Sequence, residues 1–108
     1  MRKRTVLQMA VLCLGTLAGA TALAAGNPEA GRAKAFTCMG CHGVANYNNA
    51  YPTYHVPKLG GQHAQYLVSA LQAYKNGQRG HGTVRAQAAN LSDQDMEDIA
   101  AYFESRKD

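Results

Sequence analysis

The sequence predicts an all-α domain of about three to four helices. Three observations carry this expectation. Segments 64–71 and 96–103 each place apolar residues at i, i+3, i+4 and i+7, the spacing of one buried helical face. Nothing after residue 25 reads as a clear strand, since no run alternates apolar and polar side chains over a strand's length. Between the first expected helix and these two lies Cys38-Met39-Gly40-Cys41-His42, the pattern C-x-x-C-H.

The chain starts with a segment of a different kind. Arg2, Lys3 and Arg4 form a positive n-region, Val6 to Ala20 is largely apolar, and Ala22-Leu23-Ala24 has the form of an A-x-A cleavage site. Residues 1–25 are therefore expected to be a secretory signal peptide and 26–108 the mature domain. As a membrane span the leader lacks length and a second set of anchors, so no stable membrane anchor is expected after cleavage. Cys13 leaves with it. Removing the leader also removes most of the positive charge. Residues 26–108 hold eight Lys or Arg and seven Asp or Glu, a net +1 against +4 for the precursor. A basic-plus-aromatic strip is missing as well, so nucleic-acid binding is not expected.

The first helix opens at Asn27-Pro28-Glu29. Asn27 suits the N-cap, Pro28 the first helical position, and Glu29 the positive end of the dipole. Ala30 and Ala33 follow at helical spacing. Gly31 either weakens this helix or lets a second helix approach closely, and the sequence leaves both open. The helix delivers the chain into Cys38.

C-x-x-C-H is the pattern of covalent c-type haem attachment. Two thiols three positions apart lie about one helical turn apart and can face one porphyrin. His42 follows directly and is placed to bind the iron. Zinc would need four ligands, and the mature chain has no third cysteine. A thioredoxin-like pair would need a βαβ context. A plain disulfide stays open in an oxidising compartment. A mature chain of about 83 residues with no Trp and two Phe has a marginal core alone, and the haem would complete it.

Val44 to Leu59 reads as irregular, with Asn46, Asn48, Asn49, Pro52 and Pro57 marking turns. Tyr47, Tyr51 and Tyr54 are either haem-edge groups or ordinary half-buried packing. His55 and His63 are expected at the surface. A haem-binding histidine needs its second ring nitrogen held, and the carbonyl of Pro57 in Pro57-Lys58-Leu59-Gly60 can do this, with Leu59 against the haem. The next helix runs from Gly61-Gln62 to about Asn76, with Ala64, Leu67, Val68 and Leu71 as its stripe and Gly77 as its stop. Gln78 to Asn90 is expected to be loop. Ser92 with Asp95 forms a capping box for the last helix, whose stripe is Met96, Ile99, Ala100 and Phe103. Arg106 and Lys107 stand at its negative end.

Over residues 27–105 the chain resembles the short class I cytochromes c of bacteria, in particular single-haem units related to the dihaem cytochromes c. The resemblance rests on Cys38–His42 with Gly43, on residues 57–62, on residues 74–79, and on Leu91-Ser92-Asp93 through Ala101-Tyr102-Phe103. It implies the class I cytochrome c fold, with first and last helices crossing. It implies one covalently attached haem c, with Cys38 and Cys41 as its anchors and His42 as the proximal iron ligand. It also implies periplasmic one-electron transfer between redox partner proteins, without enzymatic turnover. By position, Pro57 is the residue that orients the histidine. The family usually places an iron-binding Met seven positions before the Leu of the Leu-Ser-Asp stretch, and here that position is Val84. The sixth position is then left to His81, to water or no group, or to another group brought in by a shift of the loop; Met96 stays a further candidate, although its place in the apolar stripe fits the core better. An open site at Val84 defines the alternative reading, a haem protein that binds or senses small ligands or acts as a weak peroxidase.

Overall fold

The computed structural model describes residues 25–107, so the expected leader lies outside the described residues except for Ala25. The order of elements is α1 (Pro28–Lys34), α2 (Phe36–His42), β1 (Asn48–Ala50), β2 (Thr53–His55), α3 (Ala64–Lys75), α4 (Gly82–Ala88) and α5 (Asp93–Ser105). The described part is mostly helical, as expected, but holds five helices where three to four were expected.

Helices α1 and α2 are one path with a break at Ala35. Asn27 caps α1, its Oδ1 accepting from the amides of Glu29 and Ala30 at 2.9 and 3.1 Å. Pro28 takes the first turn. Gly31 and Ala35 are buried, whereas Ala33 is exposed, so the inner face of α1 is not the one its alanines suggest. Gly31 lies directly against α5: a Cβ there would overlap the carbonyl of Asp98. The open question over this glycine is settled in favour of close helix approach, and α1 and α5 make the most extensive packing in the fold.

Two elements depart from the sequence expectation. Segment 48–55 is a two-stranded antiparallel hairpin pairing Asn48 with His55, Asn49 with Tyr54 and Ala50 with Thr53. Its strands are three residues long and rich in Asn, a poor strand former, so local pattern could not announce it. The ladder is reinforced by side chains, with His55 Nδ1 donating to Asn48 Oδ1 at 3.1 Å and Asn49 Nδ2 to the Pro52 carbonyl at 2.8 Å. The second departure is α4, inside the stretch expected to be loop. Only Ala88 of its seven residues is buried, and it is held by packing on α3 and by His81 at its N-cap.

Helix α3 starts at Ala64, slightly later than expected, because Gly61 takes a left-handed φ of 78° and turns the chain first. Its first amide, on Ala64, is capped from another helix by Glu104 Oε1 at 2.9 Å. Gly77, with φ 83°, ends it, and the Arg79 amide bonds back to the Ala73 carbonyl at 3.0 Å. The Ser92–Asp95 capping box of α5 is formed in both directions, at 3.1 and 2.9 Å. Arg106 lies just past this helix rather than in its last turn, with Nη1 donating to the Tyr102 hydroxyl at 2.8 Å. Ala35, Leu67, Val68, Met96, Ile99, Ala100 and Phe103 form the core. Both stripes read from the sequence contribute, and Met96 is fully enclosed.

Candidate haem site

α2 carries Cys38, Cys41 and His42 on a single turn, and all three line one cavity of about 370 Å³. That volume is in the range of small-molecule sites. Leu59, Leu67, Leu71, Ile99 and Phe103 give it apolar walls drawn from the 57–60 segment, α3 and α5. Three of these, Leu67, Ile99 and Phe103, serve the core and the cavity at once, which the sequence pattern did not distinguish.

The imidazole of His42 is oriented by the chain itself. Its Nδ1 lies 2.7 Å from the carbonyl of Pro57. A carbonyl only accepts, so Nδ1 holds the proton and Nε2 keeps its lone pair. This is the tautomer a metal requires from the outer nitrogen. The two sulfurs are not bonded to each other. Burial raises the pKa of the Cys38 thiol, opposed in part by a hydrogen bond with Thr37. Two free sulfurs one turn apart, an imidazole with its outer lone pair available and an apolar cavity fit a covalently attached haem. Among the described residues no cluster of His, Cys, Asp or Glu could hold a separate metal ion.

The remaining expected residues separate clearly. Of the three tyrosines, Tyr54 lines the cavity, while Tyr51 is 96% exposed at the hairpin tip. Tyr47 is half-buried elsewhere. His55 is exposed, and His63 is exposed at the start of α3. His81 is half-buried, lines the cavity and packs edge-on against Tyr54, with ring centroids 5.0 Å apart. Val84 lines it too. Met96 does not, and neither does Met39, whose side chain packs beside Gly43.

Behind the cavity, Asp98 locks α1 to α5. It is 4% exposed, yet accepts from the Asn27 amide at 2.9 Å, from Lys34 Nζ at 2.6 Å and from Gln94 Nε2 at 3.1 Å. Lys34 also bridges to Asp95 at 2.8 Å. The ammonium holds both carboxyls below their ordinary range, Asp95 at about 2.

The cytochrome c family pattern matches residues 28–107. The chain is similar to cytochrome c4 of Pseudomonas aeruginosa, 46% identical over 84 residues, covering 78% of this chain and 40% of that protein. It is also similar to cytochrome c-554(548) of Halomonas halodenitrificans, 44% identical over 86 residues, covering 77% of this chain and 100% of that protein. Among solved structures it is similar to reduced recombinant cytochrome c4 from Pseudomonas stutzeri, with a TM-score of 0.63 and 41% identity, covering 77% of this chain and 47% of that one. The chain thus matches under half the length of the cytochromes c4 and the whole of the shorter relative.

Proposed function

The chain belongs to the cytochrome c family, and from that premise we propose that it is a periplasmic carrier of single electrons, with one haem c held by Cys38, Cys41 and His42. The observation that carries the reading is the His42–Pro57 hydrogen bond beside two unpaired sulfurs at one apolar cavity. When bound, the haem supplies a one-electron ferric–ferrous couple. The protein's part is to hold and surround it. Cys38 and Cys41 would anchor it through thioethers, which would keep the group in place through every transfer. His42 presents the Nε2 lone pair in an orientation that the Pro57 carbonyl fixes. Leu59, Leu67, Leu71, Ile99 and Phe103 exclude water and lower the local dielectric, which sets how strongly the ferric charge is disfavoured. The export reading draws on the leader at 1–25 and on the class of the relatives. No helix of the described residues is long and apolar enough to cross a membrane.

Charge supplies the docking part of the reading. Five acidic residues, Asp93, Asp95, Glu97, Asp98 and Glu104, lie on α5. Lys58 and Arg79 line the cavity, with Lys75 and Arg85 on α3 and α4 beside it. A redox partner with an acidic surface would be steered to the cavity side.

Maturation in cells able to attach haem c tests the function. The exported protein is expected to be red, to resist acid–acetone extraction of its haem, and to titrate reversibly by one electron. Replacing both Cys38 and Cys41 by Ala is expected to abolish covalent haem. A colourless exported protein whose two thiols both alkylate ends the proposal.

A further inference from the structure

We propose that the α4 wall of the cavity is a binding site for a small exogenous iron ligand, with His81 donating a hydrogen bond to that ligand rather than binding the iron itself. This rests on the haem reading above.

The first support is which donors line the cavity. Neither described methionine does: Met96 is fully buried in the core and Met39 packs beside Gly43. No thioether of the described residues is therefore available. Along α4 the cavity is lined by Thr83, Val84 and Gln87, none of which is a usual haem-iron ligand, and Val84 has no lone pair at all. His55 lines the cavity too, but it is engaged with Asn48 through Nδ1 and also borders a second cavity of about 340 Å³ together with His42, Gly43 and Val44. It belongs to the side from which His42 enters.

The second support is the tautomer of His81. The Val84 amide donates to His81 Nδ1 at 3.4 Å, which makes the imidazole the N-cap of α4. An amide N–H can only donate, so Nδ1 is the acceptor and the proton sits on Nε2. A protonated Nε2 has no lone pair for iron. Moving the proton to Nδ1 would set two N–H groups against each other and remove the cap of a helix with one buried residue. Tyr54, edge-on at an interplanar angle of 89°, limits the ring from its other side. His81 therefore offers the cavity a donor, not a ligand.

A wall that sets Val84 beside the hydrogen-bonding groups of His81, Thr83 and Gln87 suits small ligands that bind iron through a lone pair at one end and accept a hydrogen bond at the other. Carbon monoxide or nitric oxide on ferrous iron and cyanide on ferric iron are of this kind. Binding forms one iron–ligand bond from the ligand's own pair, so no electron is exchanged and no oxidant is needed.

The test uses the matured holoprotein, with carbon monoxide on the reduced form and cyanide on the oxidised form, followed by absorption spectroscopy. Wild type is expected to bind both at one per haem. Val84→Met should supply a thioether, abolish carbon monoxide binding and raise the reduction potential. His81→Ala should weaken cyanide binding about tenfold, the loss of one charge-assisted hydrogen bond. His81→Gln, which retains an N–H donor, should recover most of it. A wild type that refuses both ligands overturns the proposal. If His81→Ala then binds them, His81 is the iron ligand. If it also refuses, another side chain occupies the position. A one-electron titration of the same samples keeps the two readings apart. A protein that titrates reversibly but takes no ligand retains the carrier function and loses this site, whereas one without covalent haem loses both.

Discussion

At the scale of single residues, Asp98 shows how one buried carboxylate can hold a fold's crossing point. Its oxygens satisfy an amide, an ammonium and a side-chain amide drawn from both ends of the sequence. Asp98→Ala removes the acceptor of the part-buried Asn27 amide, and losing a hydrogen bond to a charged carboxylate costs about 1.5–3 kcal/mol. Urea unfolding of the holoprotein is expected to show a loss of that size. The same cluster sets an acid limit. A carboxyl with a depressed pKa contributes stability that is complete above its unfolded value, near 4, and is lost as the pH falls through its folded value. Asp95 is held at about 2, first by the Lys34 ammonium and then by the Ser92 amide, and Asp98 is lowered by Lys34 as well. Melting temperature is therefore expected to be level above about pH 4 and to fall between about 4 and 2. Asp95→Asn should flatten that fall. A raised pKa runs the other way: Lys34 stays charged below its ordinary value, and its share of stability is lost only as the pH climbs through the raised one.

At the scale of elements, the α1–α5 crossing depends on the absence of a side chain. A Cβ at Gly31 would meet the carbonyl of Asp98 and the Cβ of Tyr102, the latter at 2.9 Å. A backbone carbonyl cannot rotate away as a flexible side chain can, so the helices must separate. Gly31→Ala is expected to cost about 3 kcal/mol or more, despite the better helix propensity of Ala. Guanidinium unfolding would check it, and a stabilised variant would mean that α1 and α5 do not touch as described. Helix α4 makes the opposite point. Its apolar content is slight, and a cap plus packing on α3 keep it helical. This short element presents both His81 and Val84 to the cavity.

At the scale of the molecule, a small core surrounds a large apolar cavity. Seven residues make the buried cluster, and Leu59 and Leu71 pack against it from the cavity wall. Without haem those walls face water, and a chain of this size has little surplus stability to offset that. The Cys38→Ala, Cys41→Ala double variant made without haem is expected to melt without a cooperative transition near the holoprotein's midpoint, as followed by circular dichroism. Charge is also distributed at this scale, acidic on α5 and basic beside the cavity. Electron-transfer rates with an acidic partner are expected to fall several-fold between low salt and about 0.15 M salt, where screening reaches about 8 Å. Rates that do not change with salt would remove the steering argument.

Local chemistry made much of this legible in the sequence. C-x-x-C-H, the two apolar stripes, the capping box at Ser92 and the stop at Gly77 are short-range signals. Each one works through bonds or contacts within about a helical turn, so the order of residues is enough to state it. The proline at 57 reaches His42 across 15 residues and was legible because a haem histidine needs an acceptor for its second nitrogen. The hairpin, α4, the Glu104 cap on Ala64 and the close approach at Gly31 were not legible. The Glu104 cap and the approach at Gly31 depend on partners far along the chain, 40 residues away for Glu104, while the hairpin and α4 are short elements whose residue types carry no strand or helix pattern. The side of the cavity that His81 faces, and which of its nitrogens is left to act there, belong to this second group. A cap bond to Val84, three residues on, and a tyrosine from the hairpin decide them, and only packing brings that tyrosine to the ring.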